Sequence, residues 1–121
     1  HIITLPEMFL VAAEAYLKAG DNTKALARLN EVHQRAGLAA LTGTITIDNI
    51  LDESACENFG NGARWMDLRR TKTLVERCTK YNYEMGDKAA QYIGEKLLRP
   101  IPQAAIDAND MLTSADQNPG Y

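Results

Sequence analysis

Two stretches with helical signals, residues 4–20 and 21–37, follow one another with no linker between them. This juxtaposition restricts the fold more than any other feature of the chain. The first stretch opens Thr4-Leu5-Pro6-Glu7. Thr4 suits an N-cap, Pro6 suits the first turn, and Glu7 stands where a capping-box acid reaches back to the cap. Phe9, Ala13 and Tyr16 then recur at helical spacing. Gly20 stops the helix, because glycine enters the left-handed C′ conformation without steric cost. Asp21 caps a second helix with the apolar stripe Ala25, Leu29, Val32 and Ala36, and Gly37 ends it. Helices joined this tightly must be antiparallel neighbours.

Ala12, Ala13, Ala15, Ala19 and Ala25 let the two helices approach closely. The set Phe9, Ala13, Tyr16, Ala25 and Leu29 resembles one tetratricopeptide-type unit, in which large and small residues of two helices interlock. One such unit cannot bury its faces alone and needs stacked neighbours.

Residues 41–45 read as a polar connector containing glycine and threonine. Thr46 or Asp48 begins a third helix, with Ile47, Ile50, Leu51 and Ser54 on one side, and Gly60 and Gly62 break it. A fourth helix is expected to carry Trp65, Leu68, Leu74 and Val75, with Arg64–Asp67 and Asp67–Arg70 at i,i+3 spacing. Helices three and four are predicted to form a second hairpin stacked on the first. The pattern blurs over residues 80–95, where Gly86 and Gly94 intervene, and a short helix is expected over 88–93. Pro100-Ile101-Pro102 enforces an extended stretch. Residues 103–108 suit one or two helical turns, and Gln117-Asn118-Pro119-Gly120-Tyr121 a terminal turn. With Ile101, Ile106, Met111 and Leu112 as apolar anchors, this tail is expected to wrap back onto the helices.

The chemistry-bearing residues are few. A chain of 121 residues suits one domain with a modest core. Its net charge of −3 argues against a general nucleic-acid binder. No run approaches the roughly 20 apolar residues that span a bilayer. The start His1-Ile2-Ile3-Thr4 has neither a methionine nor a basic signal-peptide region, so a processed chain or a fragment is expected. Cys56 and Cys78 read as unpaired thiols, since a disulfide needs specific geometry. His1 and His33 are the two histidines, and His33 reads as a solvated residue on the polar side of helix two. No CxxC, HxxH or HxxxH spacing suggests a metal, and no cofactor is expected. Gly60-Asn61-Gly62 lacks the lysine and hydroxyl residue of a phosphate loop.

Glu53 and Glu57 lie four apart on one helical face. Such a pair can serve acid–base chemistry on a glycosidic bond. The preferred reading is structural: the acids pair with Arg64, Arg69 or Arg70 between helices three and four. Trp65 can offer a platform to a sugar ring, but it shares a helical face with Leu68 and Val75, which predicts burial.

Three blocks together resemble the C-terminal part of the SusD/RagB family of nutrient-binding outer-membrane lipoproteins. The first runs from Ala13-Glu14-Ala15-Tyr16 through Ala25, Leu29-Asn30-Glu31-Val32 and Arg35-Ala36-Gly37-Leu38. The second holds Ile50-Leu51-Asp52-Glu53, Glu57, Gly60, Gly62, Arg64-Trp65-Met66-Asp67-Leu68 and Arg70. The third runs from Leu97-Leu98-Arg99-Pro100-Ile101-Pro102-Gln103 through Ile106-Asp107 and Asn109 to the final Gln117-Asn118-Pro119-Gly120-Tyr121. The family usually carries arginine at the positions of Ser54 and Cys56, an apolar residue at Asn58 and an acid at Asn61. It commonly has an acid at Ala105 and a proline at Asp110. The ion network between helices three and four is therefore expected to be thinner here.

The resemblance implies a non-catalytic, all-α, tetratricopeptide-like segment covering residues 1–121, with an extended proline-containing tail. It implies a cell-surface protein held in the outer membrane by a lipid anchor outside this chain. Such proteins capture oligosaccharides, or peptides, for a TonB-dependent transporter of the SusC type, and they do not bind nucleic acid. No ligand-contacting position carries over. What carries over is a structural motif: Glu14, Glu53, Glu57, Arg64, Trp65, Asp67 and Arg70. The alternative is a free-standing tetratricopeptide-type adaptor that binds peptides, and a third reading is a glycoside-processing enzyme using Glu53 and Glu57.

Overall fold

The structure, a computed structural model, describes residues 3–93 and 96–121. His1 and Gly94, both singled out in the sequence, lie outside the described residues. Among the described residues every regular element is helical and no strand occurs. The chain divides into two compact units, residues 1–67 and 68–121.

The first unit is built on α1 (Leu5–Lys18) and α2 (Asn22–Arg35). The expected capping box at Thr4 is present: Thr4 and Glu7 exchange backbone-to-side-chain hydrogen bonds of 3.4 Å each. At the other end Gly20 has a φ of +82°. The Gly20 N–H donates to the Leu17 carbonyl at 3.0 Å and the Asp21 N–H to the Tyr16 carbonyl at 2.9 Å. These two bonds satisfy carbonyls that the helix leaves open and turn the chain at once into α2. Asp21 then caps α2, accepting from the Lys24 N–H at 3.0 Å. That backbone N–H, followed by the Lys24 ammonium, holds the Asp21 carboxyl below the usual carboxylate range.

α1 and α2 pack as the predicted antiparallel pair. Ala13 and Ala25 are completely buried, as a close helix–helix approach requires, and Leu10, Leu29 and Val32 complete the seam. Phe9 and Tyr16 pack against it from the edge. α3 (Ile47–Glu57), capped by Thr46, lies against both α1 and α2 and buries Ile50, Leu51 and Ser54. The outer stripe of α1 remains apolar and exposed at Leu5, Met8 and Val11.

The connector between α2 and α3 is more ordered than its composition suggests. Two asparagines of α2 bind it in the manner of a paired strand. Asn30 donates to the Leu41 carbonyl at 3.0 Å and accepts from the Leu41 N–H at 2.8 Å. Asn22 does the same with the Gly43 carbonyl at 3.0 Å and the Ile45 N–H at 2.9 Å. A side-chain amide carries both a donor and an acceptor, so each asparagine satisfies two backbone groups. The result places Ile45 in the core with Leu29 and Ile50.

The expected fourth helix is two helices. α4 (Arg64–Arg70) ends at Arg70, and α5 (Leu74–Tyr81) starts four residues later. Lys72, with φ of 61°, makes the break. The second unit continues with a 3-10 turn at Gly86–Lys88 and the predicted short helix, α6 (Ala89–Ile93), which packs on α5. Its buried side chains include Leu74, Ala89, Ile93 and Ile106. α7 (Gln103–Asp107) follows Pro102, as the tail sequence predicts. The Gln117 amide brackets Ile101, accepting from its N–H at 2.7 Å and donating to its carbonyl at 3.0 Å. Asn118 adds a bond to the Arg99 carbonyl at 2.6 Å.

Candidate functional site

The acidic motif residues Glu14, Glu53 and Glu57 each meet a basic side chain on α1 or α2. Glu14, on α1, is buried, and its Oε1 lies 2.6 Å from Nζ of the exposed Lys18 one turn on. Glu53 and Glu57 project from α3 toward α2. Glu53 Oε2 lies 2.7 Å from His33 Nδ1, with the two side chains only 12% and 16% exposed. Glu57 Oε1 meets the Arg35 guanidinium at 2.5 Å, at a site where Arg35 is largely in solvent.

These contacts correct two expectations. Glu53 and Glu57 find their partners on α2, at His33 and Arg35, and Arg64 is turned to the Leu51 carbonyl. The reason is packing order: α3 lies against α2, so a carboxylate pair at i,i+4 on that face meets the last turn of α2. His33 is correspondingly an interhelical hydrogen-bonding residue, not a solvated one. A sequence signal existed, since His33 and Arg35 close α2 with donors while Glu53 and Glu57 close α3 with acceptors.

Arg64 behaves as a clamp. Its Nη1 donates to the Leu51 carbonyl at 2.6 Å, which ties the start of α4 to the middle of α3. Asp67 is half-buried and its backbone N–H bonds the Ala63 carbonyl at 3.1 Å, while Arg70 is exposed at the end of α4. Trp65 departs from its predicted burial and is 40% exposed. The break at residues 71–73 takes Val75 off the helix that carries Trp65, and within the short α4 the inward position is held by Leu68, which is buried. Trp65→Ala is therefore expected to cost about 1–3 kcal/mol, below the roughly 3–5 kcal/mol of a fully buried tryptophan. A urea titration giving 4 kcal/mol or more, on the order of a core truncation, would refute this exposure.

Phe59, which the sequence reading did not single out, stands 90% exposed at the end of α3. It borders a shallow cavity of about 470 Å³ with Ser54, Asn58, Gly60, Gly62 and Arg64. Gly60 and Gly62 both have positive φ, which folds the loop tightly enough to bring Arg64 back onto α3. Within the cavity wall, Asn58 donates to the Ser54 hydroxyl at 3.2 Å. A hydroxyl, an amide and a guanidinium suit hydrogen bonding to a neutral, hydroxylated ligand, and the Phe59 ring offers it an apolar face. The carboxylates of Glu53 and Glu57 are engaged with α2 and do not line this space. Among the described residues no cluster of His, Cys, Asp and Glu could hold a metal ion. Cys56 and Cys78 are free thiols.

A helical hairpin with a third helix across it, braced by short charged contacts, defines the class: an all-α scaffold of the tetratricopeptide-like kind. The comparison with known proteins makes this particular. The chain belongs to the SusD family, which it matches over residues 2–121. It is similar to the starch-binding protein SusD of Bacteroides thetaiotaomicron, with 29% identity over 126 aligned residues covering 99% of this chain. The chain spans 21% of the length of that relative. No solved structure matches the chain.

Proposed function

We propose that this chain is the helical scaffold segment of a non-catalytic, glycan-binding protein of the outer-membrane surface. The observation that carries the reading is the match to the SusD family along nearly the whole chain, together with a relative named for starch binding. The scaffold role is supported by how the motif residues are used. Glu14, Glu53, Glu57 and Arg64 all brace helices. The exposed apolar stripe of α1 suits further helices of a longer solenoid stacking on it. By the same family relationship, the complete protein is lipid-anchored through a cysteine outside this chain. It passes oligosaccharide, or peptide, to a SusC-type TonB-dependent transporter. No helix among the described residues is long and apolar enough to cross a membrane. Family membership leaves the free-standing adaptor unfavoured.

Calorimetric titration of the intact protein with maltoheptaose and with β-glucan, mannan and xylan oligosaccharides tests the reading. Saturable binding of at least one glycan, with no new reducing ends released, is expected. Silence across the whole panel, or hydrolysis of any member, would overturn it.

A further inference from the structure

A groove of about 580 Å³ in the second unit is walled by Leu68, Leu74, Val75, Leu97, Leu98 and Pro119. Leu97 and Leu98 are 38% and 48% exposed, so the apolar wall faces solvent. No aromatic ring, acid or amide is among the lining residues, which leaves a sugar neither a stacking platform nor a pattern of acceptors. The rim carries Arg69 and Lys72. Neither side chain has a hydrogen bond or an ion pair among the described residues.

Lys72 stands out on a second ground. It is the one non-glycine residue with positive φ among the described residues. Its N–H donates to the Arg69 carbonyl at 3.1 Å, and the Thr73 N–H donates to the Leu68 carbonyl at 2.9 Å. These are the two bonds of a Schellman ending, with Lys72 at the C′ position where glycine is the usual occupant. A Cβ there brings steric strain that glycine would relieve. The strained position aims a long cationic side chain at the rim of an apolar groove.

We propose that this groove docks a polypeptide segment in which apolar side chains are flanked by acidic residues. The apolar side chains lie on Leu97, Leu98 and Val75, and the carboxylates meet Arg69 and Lys72. The two rim cations supply the charge complementarity. An open groove also favours a polypeptide over a fatty carboxylate, because a small ligand needs most of its surface enclosed, whereas a polypeptide covers the rim itself. This docking is separate from glycan capture and does not rest on it.

The test is a random dodecapeptide phage library panned on the intact protein, with Leu98→Asp, which places a repelling carboxylate in the groove, as the counter-selection. Enriched peptides are expected to pair aliphatic or aromatic residues with neighbouring Asp or Glu. Their affinity is expected to fall about tenfold in Arg69→Gln/Lys72→Gln, and to weaken as salt rises from about 50 to about 500 mM. Lys72→Gly is the discriminating variant: its thermal midpoint should rise, because the strain is gone, while peptide affinity falls. Maltoheptaose titration of the same variant separates this result from any failure of glycan binding. The proposal is overturned by no enrichment over Leu98→Asp, by enriched peptides without acids, or by unchanged affinity in Lys72→Gly. A groove that takes up dodecanoate but enriches no peptide also overturns it, in favour of a fatty carboxylate.

Discussion

Leu29→Ala is expected to destabilise the protein by about 2–5 kcal/mol, the range for truncating a buried leucine. Leu29 is completely buried and is among the largest such side chains in the chain. It belongs to the cluster that holds α1, α2, the connector and α3 together, with Leu10, Ala13, Ala25, Ile45 and Ile50. Its neighbours Ala13 and Ala25 have no side-chain freedom with which to fill the space left behind. The loss should therefore lie in the upper part of the range, because the cost grows with the cavity that remains. In a unit of this size it should lower the thermal midpoint by about 4–8 °C per kcal/mol. Thermal unfolding followed by circular dichroism checks this. A loss below about 1 kcal/mol would mean that the core does not close around Leu29 as described.

The second large effect separates two acids that look equivalent in sequence. Glu53→Ala is expected to cost about 1.5–3 kcal/mol, the range for a hydrogen bond to a charged group whose partner is then left shielded from water. His33, its partner across the α2–α3 seam, keeps only 16% of its side-chain surface exposed. Glu57→Ala is expected to cost about 0–1 kcal/mol, because Arg35 is 59% exposed and regains water when the pair is broken. Denaturant titrations of the two variants under one buffer measure the contrast. Equal losses would refute the assignment of Glu53 to a sheltered contact and Glu57 to a surface one. His33→Ala offers a further check, since a double-mutant cycle with Glu53→Ala isolates the pair itself.

Much of the fold was legible in the sequence. Thr4, Pro6 and Glu7 announced the start of α1, and Gly20 with Asp21 announced the hairpin, because caps and stops act within a few residues of themselves. The glycines of the 60–62 loop, the short helix α6 and the helical turns after Pro102 were legible for the same reason. Family membership was legible from the order of three blocks, and the family match over residues 2–121 agrees with it. The failures share a cause as well. Residues 64–75 look like one helix because Arg-Thr-Lys-Thr contains no glycine or proline, yet Lys72 takes the left-handed conformation. The break removes Val75 from the face that Trp65 shares with Leu68, and of these two residues of α4 only Leu68 is buried. Asn22 and Asn30 gave no sign of strapping the connector, since an asparagine bound to solvent and one bound to a backbone 11 to 23 residues away look alike.

The sequence by itself determined the helical class, the hairpin and the ends of most helices, because each depends on interactions between residues three to five apart. Only the tertiary structure decided which charges meet, and it chose His33 and Arg35 for Glu53 and Glu57, and the Leu51 carbonyl for Arg64. Those choices depend on which helix lies beside which and at what rotation. An error of one residue in phase turns a side chain by about 100° and changes its partner.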